Sequence, residues 1–202
     1  MICATPRSGS NYLSQLLAST GVLGNPREYF NAPGRRRYDD PAYPDDPHEQ
    51  LRQVLTTGRT ANGIYAVKVH YFQIAALKQV VDPTRELPHL RFIVLDRRDV
   101  LRQAVSWSRA RQTGQIRAAD PIQQAANYDQ GHIRRSLVRL MSQRARWEQK
   151  LRALNARPLH LSYETIMQAP QLAVDQVAAF MRIGERPIIE LCHVSVTIQR
   201  DQ

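Results

Sequence analysis

The stretch CATPRSGSNYL, residues 3–13, lies near the start of the chain and joins a strand pattern to a helix pattern. The apolar run Met1–Ala4 is typical of a buried strand, and Ser10–Thr20 carries leucines on one helical face. Between them, Pro6 fixes the backbone of a turn, and Gly9 lets a ligand approach the main chain closely. A helix that begins directly after such a turn presents unpaired N–H groups and the positive end of its dipole. The stretch therefore predicts an anion-binding turn, although a serine-capped helix without a ligand fits the same residues.

Strand-like and helix-like patterns alternate along the rest of the chain. The predicted strands are Met1–Ala4, Ile64–Val69, Leu90–Leu95 and Pro158–Leu161. The predicted helices are Ser10–Thr20, Tyr71–Val81, Asp99–Arg111, Pro121–Leu154 and Pro170–Met181. This alternation predicts an α/β fold with three layers, α/β/α, around a central parallel sheet. We expect the 202 residues to form a single domain, with ligands at the carboxyl ends of the strands.

Residues 22–62 are expected to form a long irregular excursion between the first helix and the second strand. Pro, Asp, Asn, Tyr and Arg dominate its first half, and long loops usually carry function, although a packed surface insertion is the alternative. The run Arg35–Arg37 is consistent with binding of an acidic acceptor or with a solvated basic surface. The aromatic candidates for stacking on a sugar, which could equally pack the loop down, are Tyr29, Phe30, Tyr38 and Tyr43.

The charge of the chain is strongly basic, with a formal net charge of +10, and three of its 28 basic residues are lysines. Arginine matches phosphate and sulfate oxygens well, so an anionic ligand is one explanation and an arginine-rich solvated surface is the other. The basic residues are scattered and no base-reading motif is present, which argues against a nucleic-acid partner. No apolar run reaches 18 residues, so no membrane span is expected. Cys3 and Cys192 lie far apart without a CxxC motif, which predicts a cytoplasmic location.

A second strand–helix pattern, LDRRDVLRQAVSWSRA, covers residues 95–110. It places Arg97 and Arg98 at the carboxyl end of a buried strand, where ligands bind in parallel sheets. Ser106 lies on the helix that follows. The alternative is that both arginines pair with neighbouring carboxylates and serve structure alone.

The two stretches together, PRSGSNYL and RRDVLRQAVSW, resemble the PAPS-dependent sulfotransferases and most closely the bacterial Stf0-type family. The similarity continues through TGVLGNPREYFN (20–31), GRTANGIYAVKVHYFQ (58–73) and QAVSWSRARQTGQ (103–115), and it fades after Tyr163. The resemblance implies a P-loop-NTPase-like sulfotransferase fold and 3′-phosphoadenosine 5′-phosphosulfate (PAPS) as donor. It also implies a sugar or glycolipid acceptor, of which trehalose is the family's known example, and it suggests a homodimer.

Roles for individual residues follow from the same resemblance. It places the phosphosulfate on a loop of six residues, Arg7, Ser8, Gly9, Ser10, Asn11 and Tyr12, and the 3′-phosphate on Arg97 and Ser106. Glu28 corresponds to the catalytic base, and Arg7 faces the bond that breaks. His70 is a rival base, while Arg98 and Lys68 receive no role. Gln199 and Arg200 are expected to begin a segment that closes over the nucleotide.

Two other classes of function remain open from the sequence. A P-loop-like nucleotide kinase or NTP-binding protein is the first, but the Gly-Lys-Ser/Thr of a P-loop is absent. A non-enzymatic binder of anions or nucleic acid is the second. The six histidines do not pair with cysteines or carboxylates at the spacings of metal ligands, so we expect no metal.

Overall fold

A computed structural model describes residues 1–77, 80–117 and 119–195 of the chain. The strands are β1 Ile2–Ala4, β2 Lys68–His70, β3 Ile93–Asp96 and β4 Leu159–Ser162. All neighbouring strands are parallel, in the order β2–β1–β3–β4, so that β1 lies inside the sheet. Cys3 of β1 pairs with Val69 on one side and with Val94 on the other.

Helices cover both faces of this sheet. Within the described ranges they are α1 Ser10–Ser19, α2 Ala32–Tyr38, α3 Pro47–Leu55, α4 Tyr71–Leu77, α5 Pro83–Glu86, α6 Val100–Thr113, α7 Gln130–Ala153, α8 Tyr163–Gln168 and α9 Pro170–Met181. Side chains alternate along β1, so Cys3 belongs to a core with α3, α4 and α7, and Ile2 and Ala4 belong to another with α1, α8 and α9. The predicted three-layer α/β/α fold with a central parallel sheet is confirmed. None of the helices in these ranges is both long and apolar enough to cross a membrane.

The expectation of an irregular excursion over residues 22–62 was wrong in its middle, where α2 and α3 form. Asn31 caps α2 by accepting a hydrogen bond from the N–H of Gly34, and Asp46 caps α3 by accepting one from Glu49. A proline occupies the first turn of each helix. These residues are ordinary start signals of a helix, so the segment folds locally into two short helices.

The predicted helix over Pro121–Leu154 was also wrong in its first part, because α7 begins only at Gln130. Asp129 is its N-cap and accepts a hydrogen bond from the N–H of His132 at 2.8 Å. The second predicted strand, Ile64–Val69, is shifted along the chain: β2 covers Lys68–His70, while Tyr65 and Val67 pair with Arg59 and Arg27 of the excursion in isolated bridges. By contrast, α9 has the predicted bounds. Gln199 and Arg200, expected to begin a nucleotide-covering segment, lie outside the described residues.

Candidate functional site

The turn between β1 and α1 is a tight loop over residues 5–9. The N–H of Ser8 donates to the carbonyl of Thr5 at 3.3 Å, and both Arg7 (φ 63°) and Gly9 (φ 81°) adopt left-handed backbone conformations. A Cβ atom at Gly9 would lie 2.7 Å from Cδ2 of Tyr163, so this position needs glycine for space as well as for conformation. The loop therefore brings the start of α1 close against α8.

The start of α1 has the features of an anion site. Gly9 is the N-cap and has no side chain to satisfy the N–H groups of the first turn. Ser8 is fully buried, and its Oγ has no hydrogen-bond partner in the described part of the chain. The helix dipole adds positive potential at the same point. An oxyanion bound here would satisfy both the N–H groups and the Ser8 hydroxyl.

Arg7 links this loop to α6. Its Nε donates to Oγ of Ser106 at 3.0 Å, and one terminal nitrogen donates to the carbonyl of Ile116 at 2.8 Å. The two motifs that the sequence analysis paired are thus in direct contact, although they are 99 residues apart. The contact comes from Arg7, whereas the resemblance grouped Ser106 with Arg97.

Arg97 and Arg98 follow β3 and have different surroundings. Arg97 is buried, and its guanidinium carbon lies 4.4 Å from the ring centre of Tyr163, at the wall of the cleft. The exposed Arg98 donates from its Nε to a carboxylate oxygen of Glu164 at 3.3 Å, and its backbone N–H donates to the same carboxylate. The alternative that these arginines pair with carboxylates and serve structure alone therefore fits Arg98.

Glu28 lies beside β2 because the chain before it runs along that strand. Arg27 forms a β-bridge with Val67, and its carbonyl accepts a hydrogen bond from the N–H of Lys68. Oε1 of Glu28 lies 2.7 Å from Nζ of Lys68 and 3.6 Å from Nε2 of His70.

Two amides complete the surroundings of the Glu28 carboxylate. Oε2 accepts hydrogen bonds from Nδ2 of Asn31 at 2.7 Å and from Nε2 of Gln73 at 2.9 Å. Burial by itself raises the pKa of Glu28, but Lys68 and His70 outweigh it, and the net pKa lies well below its ordinary value. Glu28 is therefore ionised at neutral pH.

Lys68 connects Glu28 to the anion-binding loop. Its ammonium also donates to Oδ1 of Asn11, in the first turn of α1. The side chain of Lys68 is 5% exposed, so its charge is held between these two partners rather than in bulk water. The parallel pairing of Ala4 with His70 explains the proximity, since β1 and β2 end side by side.

One cleft of about 1440 Å³ is lined by residues of the loop, α1, the excursion, β2 and α6, and by Arg97 after β3. Its wall includes Gly9, Asn11 and Glu28, together with Arg97 and Ser106. Basic side chains outnumber carboxylates on that wall: the former are Arg7, Arg27, Arg35, Lys68, Arg97, Arg102, Arg109 and Arg117, and the latter are Glu28, Asp39 and Asp99. The cleft is therefore suited to a ligand with several negative charges.

Most of the excursion side chains considered for acceptor binding have structural roles. Tyr29, Phe30 and Tyr43 are buried in the core. Arg35 is also buried: it pairs with Asp39 and lies over the rings of Tyr29 and Tyr43. Arg36 pairs with Asp45 and Arg37 lies over Tyr38.

Tyr38 is the aromatic candidate that reaches the cleft. The guanidinium carbon of Arg117 lies 3.7 Å from its ring centre, and its hydroxyl donates to Asp120 at 2.9 Å. Arg117 carries no signal in the sequence, because it follows α6 in a stretch without a regular pattern.

Three potential metal ligands lie together at the edge of the cleft, contrary to the spacing argument made from the sequence. A short 3₁₀ helix, Leu191–His193, brings side-chain atoms of Glu190, Cys192 and His193 within 4.8 Å of one another. All three are exposed, and Nδ1 of His193 lies 3.0 Å from the Glu190 carboxylate. Exposed groups of this kind are not by themselves a metal site.

Known proteins similar to this chain are sulfotransferases. The model of the Stf0 sulphotransferase family matches residues 1–195. A trehalose 2-sulfotransferase of Mycobacterium tuberculosis is 30% identical over 227 residues, a match that covers 93% of this chain and 84% of that protein. A trehalose 2-sulfotransferase of Mycolicibacterium smegmatis is 25% identical over 239 residues, covering 94% of this chain and 88% of that protein.

Proposed function

The chain belongs to the Stf0 sulfotransferase family, and on that premise we propose that it moves a sulfuryl group from PAPS to a hydroxyl of a carbohydrate or glycolipid. One observation carries the proposal: the cleft holds both an uncapped helix start and the carboxylate of Glu28. Lys68 connects the two, because its ammonium contacts Glu28 and also Asn11 in the first turn of that helix. An anion site next to an ionised carboxylate is what a transfer from an anionic donor to a neutral hydroxyl requires.

The residues around the loop fit a donor that carries two phosphate groups. In the proposal, the phosphosulfate lies against the N–H groups of Ser10, Asn11 and Tyr12, where it satisfies the buried hydroxyl of Ser8. Arg97 and Ser106 hold the 3′-phosphate from the carboxyl end of β3 and from α6. The bond from Arg7 to Ser106 would then fix the spacing between the two phosphate sites.

The proposed reaction is an in-line displacement at sulfur. The acceptor oxygen forms a new bond to sulfur, and its proton passes to the carboxylate of Glu28. The bond from sulfur to the bridging phosphate oxygen breaks, and its electron pair stays on 3′,5′-ADP. Arg7 and the start of α1 stabilise this developing charge. Like phosphoryl transfer, such a step depends mainly on positioning and electrostatics, so the proposal assigns no role to a metal.

His70 has a weaker case as the base. Its Nδ1 lies 3.2 Å from the carbonyl oxygen of Ala4, so that nitrogen carries a hydrogen toward the backbone. Its Nε2 is directed at Glu28. One ring nitrogen thus bonds the backbone and the other faces the carboxylate of Glu28, which supports Glu28 as the proton acceptor.

In the proposal, the acceptor binds against the part of the cleft wall that residues 22–62 form. Asn31, Gly34, Tyr38 and Asp39 line the same cleft as Glu28, which supports the proposed acceptor-binding role of residues 22–62. A sugar acceptor is in keeping with the names of the two relatives, both trehalose 2-sulfotransferases.

A cytoplasmic location is in keeping with two free cysteines, Cys3 and Cys192. The homodimer stays a prediction that analytical ultracentrifugation can test.

The proposal is tested by comparing ligands in a thermal-shift assay. At a concentration 100 times its Kd, a ligand stabilises the native state by about 2.7 kcal/mol. For a chain of this length, that corresponds to a rise in Tm of about 5–11 °C. We expect such a rise with 3′,5′-ADP and little change with AMP or with ATP and Mg²⁺. A larger rise with ATP and Mg²⁺ would favour the nucleotide kinase, and equal rises with all three would remove the 3′-phosphate site.

A further inference from the structure

Four side chains surround the carboxylate of Glu28, and three of them, Lys68, Asn31 and Gln73, lie at hydrogen-bond distance. A carboxylate offers about four lone-pair positions to donors. Lys68 and His70 face Oε1, while Asn31 and Gln73 donate to Oε2. Lys68 is the charged partner closest to Oε1, so an acceptor hydroxyl that donates to this oxygen must compete with the ammonium of Lys68.

Three of the four side chains are held in place from their other end. Oδ1 of Asn31 accepts the N–H of Gly34 in the cap of α2, and Oε1 of Gln73 accepts the N–H of His70. Nδ1 of His70 is held by the carbonyl of Ala4. Rotating any of these three away from Glu28 would also break a hydrogen bond to the backbone.

Lys68 differs from the other three. Its other described partner is a side chain and not the backbone: the ammonium donates to Oδ1 of Asn11, in the first turn of the proposed phosphosulfate site. The side chain is almost completely buried, so the group that attracts it away from Glu28 must be an anion inside the cleft. The sulfonate of a donor bound at the start of α1 would be such an anion.

We propose that Lys68 is a donor-operated switch, which moves from Glu28 to the sulfonate when PAPS binds and thereby frees Glu28 to accept the proton of the acceptor. Without donor, Lys68 keeps Glu28 a poor base. With donor, the same ammonium stabilises the sulfuryl group, and Glu28 regains basicity because an opposite charge has left it. Deprotonation of the acceptor is in this way coupled to the presence of the group that it will receive.

The inference rests on the proposed function, and it predicts a difference between two nucleotides. 3′,5′-ADP lacks the sulfonate, so it should leave Lys68 on Glu28, whereas PAPS should not. The experiment records the δ-carbon NMR signal of Glu28 at pH 7 in the free protein, with 3′,5′-ADP, and with PAPS in the absence of acceptor. The Glu28→Gln variant assigns the signal.

Two lysine variants sharpen the comparison. Lys68→Met should abolish the difference between the PAPS and 3′,5′-ADP signals, and Lys68→Arg should restore part of it. Lys150→Met is the matched control, since Lys150 forms an ion pair of the same length with Asp82 outside the cleft. It should leave the difference at Glu28 unchanged.

The possible results distinguish failure of the Lys68 switch from failure of the proposed sulfotransferase function. A Glu28 signal that moves with PAPS alone supports the switch. Equal signals in the two complexes, from protein that transfers sulfuryl groups, overturn the switch and leave the proposed function standing. Failure of both nucleotides to bind overturns the proposed function and the switch together. The comparison in the unmodified protein decides the matter even if Lys68→Met does not fold.

Discussion

Replacing Glu28 by glutamine removes one negative charge and keeps the size of the side chain. Lys68 and His70 then lose the carboxylate that faces them, while Asn31 and Gln73 still meet an oxygen or an amide nitrogen. The change is therefore local, and the start of α1, where the nucleotide is proposed to bind, keeps its contacts.

Two magnitudes follow from this geometry. Loss of a general base lowers the rate of transfer by about 100- to 10,000-fold. Breaking a fully buried ion pair costs about 3–5 kcal/mol, and we expect the lower end or less because the Glu28 side chain is 22% exposed. A loss of about 3 kcal/mol lowers Tm by about 6–12 °C in a chain of this size.

The pH dependence gives a second signature of the same change. The pKa of Glu28 is depressed in the folded protein, so its contribution to stability is complete above the unfolded-chain pKa of about 4.3 and is lost as pH falls below it. The difference in Tm between the wild type and Glu28→Gln should therefore be constant near neutral pH and shrink in acid.

The assays are radiolabelled sulfuryl transfer and thermal shift with 3′,5′-ADP. We expect Glu28→Gln to lose transfer and to keep the rise in Tm on nucleotide binding. Full transfer activity in this variant would refute Glu28 as the base and return His70 to consideration.

Three further substitutions test the parts of the cleft separately. Ser106→Ala removes a partner of Arg7 and a proposed phosphate donor, and it should weaken binding of 3′,5′-ADP by about 10- to 100-fold in calorimetry, with AMP affected less. Gly9→Ala places a Cβ atom 2.7 Å from Tyr163 at a φ of 81°, so chemical denaturation should show a loss of about 1–3 kcal/mol, together with lost nucleotide binding. Arg98→Ala removes an exposed ion pair with Glu164, and it should cost under about 1 kcal/mol and leave transfer unchanged; a large loss of activity would show that Arg98 has a direct role.

The sheet could be predicted from the sequence because buried parallel strands are short, continuous apolar runs. The run Met1–Ala4 and the helix Pro170–Met181 have such clear patterns that their predicted bounds are nearly those of the structure. The prediction failed at Pro121–Leu154, where the helical spacing continues through residues that are not helical and Asp129 sets the real start. Spacing alone does not show which of several polar residues will be the cap.

The candidate site was predictable where its residues lie next to regular elements. Arg7, Arg97 and Ser106 follow strands or lie on a helix, and the structure places them on one cleft. Asn31 and Gln73 carried no signal, because their role depends on long-range contacts with Glu28. Lys68 and His70 could be singled out from the sequence, because both lie at the carboxyl end of β2. The sequence does not show that they face a carboxylate.

Transfer of a radiolabelled sulfuryl group from PAPS to a panel of sugars, with trehalose among them, tests the central claim most directly. The account predicts a labelled sugar sulfate and an equal amount of 3′,5′-ADP with the wild type, and neither with Glu28→Gln. Protein that binds 3′,5′-ADP yet labels no sugar or glycolipid in the panel would contradict it.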